Sequence, residues 1–306
     1  MNRLDAMATL IAAVDGGSLS AASRNLGMPL PTVSRKVAEL EAHLKTQLVV
    51  RTSRRLILTE AGQSYVAACR RILEEVQEAE RAATGEYRIP TGHLLITAPI
   101  MFGRLHVEPV LLNFLAANPQ ITARLMLSDQ TINILDEHVD VAIRIGELPD
   151  SNLVAKRLGE VKWVTCASPQ FIAAHGEPKT PHDLLMQNCI MFEGPYSSAV
   201  WNFGRGKAAV ALNVKPRLAV NSADAAVAAA ISGAGITRVL SYQIDAAEGE
   251  AKLQRVLHDF EPEPLPVHMI YAGQANLPLK LRTFLDFTAP RLKDALTLLT
   301  QGKRRR

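Results

Sequence analysis

Positive charge is concentrated at the N-terminus of this 306-residue chain, and no other feature constrains its organisation as much. The first 58 residues have a net charge of +4, equal to the formal charge of the whole protein. Residues 59–302 sum to −4, and the basic tail at 303–306 restores the balance. A basic segment joined to a mildly acidic body predicts a phosphate-binding end and a different task for the rest of the chain.

The length of 306 residues predicts two or three globular units. Because 48% of the residues are hydrophobic and 21% are charged, a folded chain is expected rather than a disordered one. No apolar run approaches the roughly 20 residues that cross a bilayer. Asp5 interrupts the N-terminus, so no signal peptide is expected. The three cysteines, Cys69, Cys166 and Cys189, lack CxxC spacing and suit a reducing compartment. These features predict a soluble, cytoplasmic protein.

The basic segment, residues 1–58, has the pattern of three short helices. Apolar residues at helical spacing define the first helix: Leu4, Met7, Ile11 and Val14. The second begins at Ser18 and ends at Gly27, where a positive φ is usually wanted, and its inward side is Leu19, Ala22 and Leu26. The third begins near Pro31, since proline is tolerated in a first helical turn, and its apolar stripe is Val33, Val37, Leu40 and Leu44.

The outward side of the third helix predicts contact with DNA. Arg35 points away from the apolar stripe, and Pro31, Thr32 and Ala38 flank it. A helix buried on one side that exposes small residues and an arginine on the other suits a major groove. The next run, VVRTSRRLILT, predicts two short strands with arginines at the tip. This wing is expected to contact phosphates and to add affinity and salt dependence.

The residues predicted to contact DNA lie at the start of the second helix, on the third helix and in the wing: Ser18, Ser20, Pro31, Thr32, Ser34, Arg35, Lys36, Arg51, Thr52, Arg54 and Arg55. The alternative is a small helical domain with a solvated basic surface, because helix-turn-helix shapes are common.

The run LSAASRNLGMPLPTVSRKVAELEAHLKTQLVVRTSRRLILTEAG closely resembles the N-terminal signature of LysR-type transcriptional regulators. The match includes a Leu-Gly turn, a Pro-x-Val-Ser-Arg helix, a Leu-Glu pair, an Arg-Thr wing and a closing Leu-Thr-x-x-Gly. The resemblance implies a mostly α winged helix-turn-helix domain that binds double-stranded promoter DNA.

The sequence departs from this signature at Pro29 and Leu30, where such regulators usually carry a Ser-Gln pair. The helix cap is then lost, a change on the order of 1 kcal/mol. The usual glutamine, a residue suited to bind adenine, is also absent. The base contacts are therefore expected from Thr32, Ser34 and Arg35.

Residues 59–90 are predicted to be a linker, with a dimerisation helix that Thr59 caps and that runs to about Thr84. Its seam has alternating spacings of three and four: Gly62, Tyr65, Cys69, Ile72, Val76, Ala79 and Ala83. A rod of this kind predicts pairing with a second copy, so that two DNA-binding domains contact a two-fold site. The alternative is a stripe packed on the body. Cys69 is expected to be an apolar filler, with an intersubunit disulfide as the alternative.

Residues 91–295 alternate between strand and helix patterns, which predicts parallel sheet in two α/β lobes. The lobes are expected at about 91–163 plus 267–295, and at 164–266. The family resemblance implies the same architecture, an effector-binding domain like that of periplasmic solute receptors. The run DVAIRIGELPDSNLVAKRLG is similar to the family's crossover segment between the lobes. Helices are predicted at 103–117, 131–137 and 279–292.

Three loops that follow strands are predicted to hold the effector: Pro99, Ile100 and Met101; Ser128 and Asp129; Asn221 and Ser222. Helix N-termini favour anions, so a small carboxylate is the expected class. Pro99 stands where several family members carry a Ser or Thr donor, which leaves a largely apolar ligand or a vestigial pocket as alternatives. Ser222 is equally expected as a helix cap alone. Phe192 and Trp201 are expected in the core rather than stacked on a ligand.

The sequence lacks GxSxG, HExxH, GxxxxGK[ST] and a GxGxxG after a strand, so no enzyme, cofactor or metal site is predicted. Pairing of Cys166 with Cys189 for redox sensing is a minor alternative. We predict a LysR-type regulator that responds to a small-molecule effector between its lobes; an architectural DNA-binding protein is the alternative. Resemblance implies a homodimer or homotetramer and contact with RNA polymerase. The tail at 296–306 is expected to be a solvated end, or an extra phosphate contact.

Overall fold

The structure is a computed structural model that describes residues 2–51, 56–84, 89–130, 139–194, 200–273 and 277–300. The chain separates into two units, Met1–Ile89 and Pro90–Arg306.

The N-terminal unit is a helical domain with a small two-stranded sheet. Its elements are α1 (Arg3–Asp15), α2 (Leu19–Leu26), α3 (Leu30–Leu44), β1 (Val49–Arg51), β2 (Leu56–Leu58) and α4 (Glu60–Thr84). Strands β1 and β2 pair antiparallel, from Val49 opposite Leu58 to Arg51 opposite Leu56. Inward side chains of all four helices and β1 bury one core, in which Leu10, Val37 and Leu40 are fully buried.

Helix ends follow the local chemistry of the chain. The Ser18 hydroxyl caps α2 by accepting from the Ala21 N–H at 3.1 Å, and Gly27 ends it at φ 63°. Helix α3 starts at Leu30 behind Pro29, which makes no side-chain cap bond, as the missing Ser-Gln pair predicts. Leu26 was expected to face inward, but it is the last residue of α2 and is 38% exposed.

The predicted seam of α4 divides into two parts. Gly62 and Cys69 are buried within the N-terminal unit, and Tyr65 packs on its core beside the buried Val66. These positions therefore pack within the chain's own head. Farther along, Ile72 and Val76 are half-buried and Ala79 is exposed; the Ala83 side chain lies outside the described part.

The C-terminal unit contains twelve strands among its described residues. The helices are α5 (Ile100–Phe102), α6 (Glu108–Ala117), α7 (Pro169–His175), α8 (Ala223–Ile231), α9 (Ser241–Gly249) and α10 (Leu279–Thr300). The strands are β3 (Gly92–Ala98), β4 (Ile121–Leu127), β5 (Val141–Ile145), β6 (Leu153–Val161), β7 (Trp163–Ala167), β8 (Cys189–Phe192), β9 (Val200–Phe203), β10 (Val210–Asn213), β11 (Pro216–Val220), β12 (Ile236–Leu240), β13 (Gln254–Val256) and β14 (Leu265–Ala272).

Two five-stranded sheets form the two lobes. The first has the order β4-β3-β5-β14-β6 and the second β11-β8-β12-β7-β13, while β9 and β10 form a separate hairpin. The expectation of parallel sheet is wrong in part, because β14 runs antiparallel to β5 and β6, and β7 antiparallel to β12 and β13. The chain returns to the first lobe through β14, and a returning strand need not keep the direction of its neighbours.

Several boundaries differ from the sequence predictions. The helix expected at 103–117 begins at Ile100, and a π-helical turn at Gly103–Val107 joins α5 to α6. The closing helix extends to Thr300 and contains Pro290. The helix expected at 131–137 lies outside the described residues. The helical stretch Ile100–Ala117 is apolar and long enough to cross a membrane by composition alone, but Phe102 and Phe114 are buried in the core of the unit.

One hydrophobic cluster extends through both lobes. It joins Ile96 and Phe114 of the first lobe to Phe192 and Val239 of the second. Trp201 belongs to a second cluster under the β9–β10 hairpin. Phe192 and Trp201 are therefore core residues, as predicted.

Candidate DNA-binding surface and effector site

The outward side of α3 is available for contact. Val33, Val37 and Leu40 are fully buried on its inner side, whereas Arg35 and Pro31 are exposed. Thr32 and Ser34 are half-buried beside them, and Ser20 of α2 is exposed. Helices α2 and α3 are joined by only Gly27, Met28 and Pro29, the short connection of a helix-turn-helix.

Arg35 is held by a neighbour on its own helix. Its Nη1 donates to Oε1 of Glu39 at 2.7 Å, and the side chain remains 66% exposed. An exposed pair of this kind is typically worth less than about 1 kcal/mol. The guanidinium can therefore exchange Glu39 for another acceptor at low cost.

Lys36 does not belong to this exposed surface. Its Nζ forms an ion pair with Asp5 of α1 and lies 3.4 Å from the Met28 sulfur. The Lys36 side chain is only 18% exposed. These contacts join α3 to α1 and to the preceding turn, so the residue serves the packing of the head.

The wing is described only in part. The backbone of Arg51 belongs to β1, but the Arg51 side chain and residues 52–55 lie outside the described part. The predicted contacts at Thr52, Arg54 and Arg55 therefore stay predictions.

Sequence reasoning missed Glu41, which connects α3 to the wing. Its Oε1 accepts from the N–H groups of Leu48 and Val49, at 2.8 and 3.0 Å. The Leu-Glu pair of the sequence signature contains this residue: Leu40 is buried in the core, and Glu41 binds the start of β1.

The closing Leu-Thr-x-x-Gly motif has a direct structural role. The Thr59 hydroxyl donates to the Gln47 carbonyl at 2.8 Å and accepts from the Gly62 N–H at 2.9 Å. A Cβ atom at Gly62 would lie 2.0 Å from the Leu48 carbonyl oxygen, so only glycine fits. The start of α4 is thereby locked against the base of the wing.

Two of the three predicted effector loops meet at the start of α5. Oδ1 of Asp129 accepts from the Ile100 N–H at 2.9 Å. Pro99 and Met101 are buried, while Ile100 is 43% exposed. The Ser128 N–H donates to the Ala98 carbonyl, and its hydroxyl accepts from the Gln130 N–H at 3.1 Å. The Ile100 N–H at this helix start is thus already bound by a carboxylate of the chain itself.

The third loop lies at the start of α8. Ser222 caps this helix by accepting from the Ala225 N–H at 3.4 Å, and Asn221 is exposed. Asp224, in the first turn, accepts from Nη2 of Arg104 at 2.8 Å. Because Arg104 follows α5 in the first lobe and α8 belongs to the second, this ion pair connects the lobes beside the predicted effector residues.

Aromatic rings reinforce the same junction. Phe102 of α5 packs edge to face on Tyr242 of α9, with ring centroids 5.3 Å apart. His106 lies 5.0 Å from Phe102 and 5.8 Å from Tyr242. The lobes are joined here by packed rings as well as by charge.

The described residues contain no cluster of His, Cys, Asp or Glu that could hold a metal ion. Cys166 and Cys189 are buried, and their burial raises the pKa of each thiol to about 12. Strand β12 separates them, and their register partners, Thr237 and Ile236, point to opposite faces of the sheet. A disulfide between these two residues does not fit this arrangement.

Comparison with known families matches both units. Residues 4–63 match the bacterial regulatory helix-turn-helix protein, lysR family, and residues 88–293 match the LysR substrate binding domain. An HTH-type transcriptional repressor of Pseudomonas aeruginosa is 32% identical over 289 residues, which cover 94% of this chain and 91% of the relative. The regulator CrgA of Neisseria meningitidis is 31% identical over 293 residues, covering 95% and 97%.

Solved structures are similar over nearly the full length. The structure of CrgA, a LysR-type transcriptional regulator, has a TM-score of 0.61 at 30% identity and covers 94% of this chain and 98% of that one. Full-length AphB of Vibrio cholerae, a virulence activator, has a TM-score of 0.61 at 28% identity, covering 93% and 98%.

Proposed function

This chain belongs to the LysR-type family of transcriptional regulators, and we propose that it recognises its promoter through the outward side of α3. As a member of this family, it is a DNA-binding regulator whose promoter binding responds to a small-molecule effector. The main observation that supports DNA recognition by α3 is its division into two sides. One side is fully buried, and the other presents Thr32, Ser34 and Arg35.

We assign base contacts to Thr32, Ser34 and Arg35. Arginine binds guanine in a bidentate manner, and Ser and Thr bind several bases. Phosphate contacts are assigned to Ser18, Ser20 and the wing residues Arg51, Thr52, Arg54 and Arg55. Pro31 has no N–H to donate, so it is assigned an apolar contact with the DNA. For Lys36 the pairing with Asp5 supports a structural role in place of a DNA contact.

We place the effector between the lobes, beside Ile100, Asp129 and Ser222. The Arg104–Asp224 ion pair and the Phe102–Tyr242 contact support this placement, since both lobes meet there. The expected class remains a small carboxylate. Contact with RNA polymerase, a cytoplasmic location and the absence of an enzymatic role belong to this proposal.

LysR-type regulators form oligomers, and we propose that the second half of α4, from Ile72 onward, pairs with a second copy. Its half-buried and exposed small apolar residues support this, whereas the first half is occupied by the head. The proposed domains are a DNA-binding domain at 1–58, a linker with the dimerisation helix at 59–90, an effector-binding domain at 91–295 and a basic tail at 296–306.

Genome-wide mapping of the DNA bound by the full chain tests the function. Discrete sites with two half-sites, bound less tightly as salt rises, are expected. Uniform coverage without a shared sequence would contradict specific recognition and would favour an architectural binder. The genes beside the sites indicate which metabolites to test as effectors.

A further inference from the structure

Arg238 is a buried cation that the regulator function above does not explain. It lies in β12 of the second lobe and is 9% exposed. Its guanidinium carbon lies 4.9 Å from the Trp163 ring centroid and 5.4 Å from the Phe203 ring centroid. Two aromatic rings therefore hold the guanidinium in place.

The polar environment of Arg238 is incomplete. Nη2 donates to the Asn202 carbonyl at 2.8 Å, but a guanidinium carries five N–H donors. No carboxylate of a described residue forms an ion pair with it. Burial lowers the pKa of Arg238 to about 10, because the charged form is disfavoured away from water. A buried charge without a counter-ion is costly.

Two other arginines of the same unit, Arg255 and Arg104, do have carboxylate partners. Arg255, also in the second lobe, donates twice to Glu248, at 2.8 and 3.1 Å. Arg104 is paired with Asp224, and the N–H at the start of α5 is bound by Asp129. The Ile100 N–H, one of the helix-start donors that the sequence suggested for an anion, is therefore already bound, whereas no carboxylate of a described residue pairs with Arg238.

Arg238 is the central residue of β12, and the carboxyl end of this strand belongs to the sheet edge where ligands of α/β lobes bind. Strands β8, β11 and β12 run parallel, so their carboxyl ends share one edge. Arg238 is two residues from Leu240, the last residue of β12, which pairs with Trp163 at the start of β7. Trp163, whose ring the guanidinium contacts, thus lies at that edge.

We propose that Arg238 is the anion-binding residue of the second lobe and takes a small oxyanion, such as the carboxylate of the effector. Trp163 and Phe203 fix the planar guanidinium for two parallel hydrogen bonds to the anion. The assignment of this anion to the effector rests on the proposed function. The anion site itself does not depend on that function.

The test uses sulfate as the probe on the full chain, with chloride replaced at constant ionic strength. Trp163 is one of only two tryptophans, so anion binding beside it changes the intrinsic fluorescence. We expect a saturable fluorescence change and a rise in melting temperature in the wild type. Arg238→Met should lose both, with affinity reduced roughly tenfold or more. Arg217→Met, which removes an exposed arginine from β11 of the same lobe, should retain both.

Arg238→Lys covers the case in which Arg238→Met fails to fold, because it keeps the charge but lacks the bidentate fork. Weaker sulfate binding by Arg238→Lys supports the proposal. Equal responses in wild type and either Arg238 variant, or no response in the wild type, overturn it. Promoter binding is measured in parallel. If the wild type binds promoter DNA but not sulfate, the anion site is wrong while the proposed regulator function stands.

Discussion

Oε1 of Glu41 accepts a hydrogen bond from the backbone N–H of Leu48 at 2.8 Å, which joins the proposed recognition helix to the base of the wing. The same oxygen accepts from Val49. One carboxylate thus matches two strand donors and fixes how α3 and β1 lie together.

Replacement of Glu41 by alanine should destabilise the head by about 1–3 kcal/mol, because two backbone donors lose their acceptor. Urea unfolding of the full chain and hydrogen exchange over residues 45–51 measure the change. Glu39→Ala is the matched control, since the Glu39 carboxylate pairs with the exposed Arg35. Equal exchange rates in both variants would show that the Glu41 bonds do not hold the wing.

Gly62→Ala should also weaken the head, by roughly 1–3 kcal/mol, because the added methyl group overlaps the Leu48 carbonyl oxygen and a backbone must shift. The exposed neighbour offers a control, Gln63→Ala, for which a change within about 0.5 kcal/mol is expected. Thermal unfolding compares the two. An unchanged melting temperature in Gly62→Ala would mean that α4 does not approach the wing this closely.

The native thiols should react slowly with iodoacetamide at pH 8, because Cys69, Cys166 and Cys189 are all buried. Burial raises the pKa of Cys166 and Cys189 from 9.0 to about 12, so the folded state favours the neutral thiol. The stability from these groups is present below pH 9 and is lost as the pH rises towards 12. Mass spectrometry after alkylation measures the reactivity. A Cys166–Cys189 disulfide after peroxide treatment would contradict the opposite facing of the two side chains.

The ion pair between the lobes should add little stability despite its position. The side chains of Arg104 and Asp224 are 52% and 49% exposed, so a double-mutant cycle with Arg104→Gln and Asp224→Asn should give a coupling below about 1 kcal/mol. The coupling should fall as salt increases. A salt-independent coupling of several kcal/mol would show that the pair is buried in solution.

The head was predictable because its signals are local. The stripe Val33, Val37 and Leu40 identifies the buried side of α3, and the side exposing Arg35 follows from helix geometry. The pairing of Lys36 with Asp5 was not predictable, because it joins residues 31 positions apart. The same holds for the Glu41 carboxylate and the Leu48 amide, which meet only after the chain has folded back.

The body was predictable in outline and not in detail. Strands β3 and β8 contain apolar runs, but β6 has a mixed sequence because only two of its nine residues are buried. Strand direction was mispredicted because β14 reaches its sheet from a distant part of the chain. The sequence predicted that Asp129 and Ile100 lie at the same edge of a sheet. It did not predict the hydrogen bond from the Ile100 N–H to the Asp129 carboxylate.

The measurement that tests the central claim most directly is quantitative binding of a promoter site, and of variants at each base position, by wild type and Arg35→Ala. The account predicts that Arg35→Ala loses about 1–3 kcal/mol and no longer distinguishes bases at one position of each half-site. Arg217→Ala, in the body, is the control and should bind as the wild type does. Unchanged affinity and unchanged base preference in Arg35→Ala would contradict the assignment of α3 to the major groove.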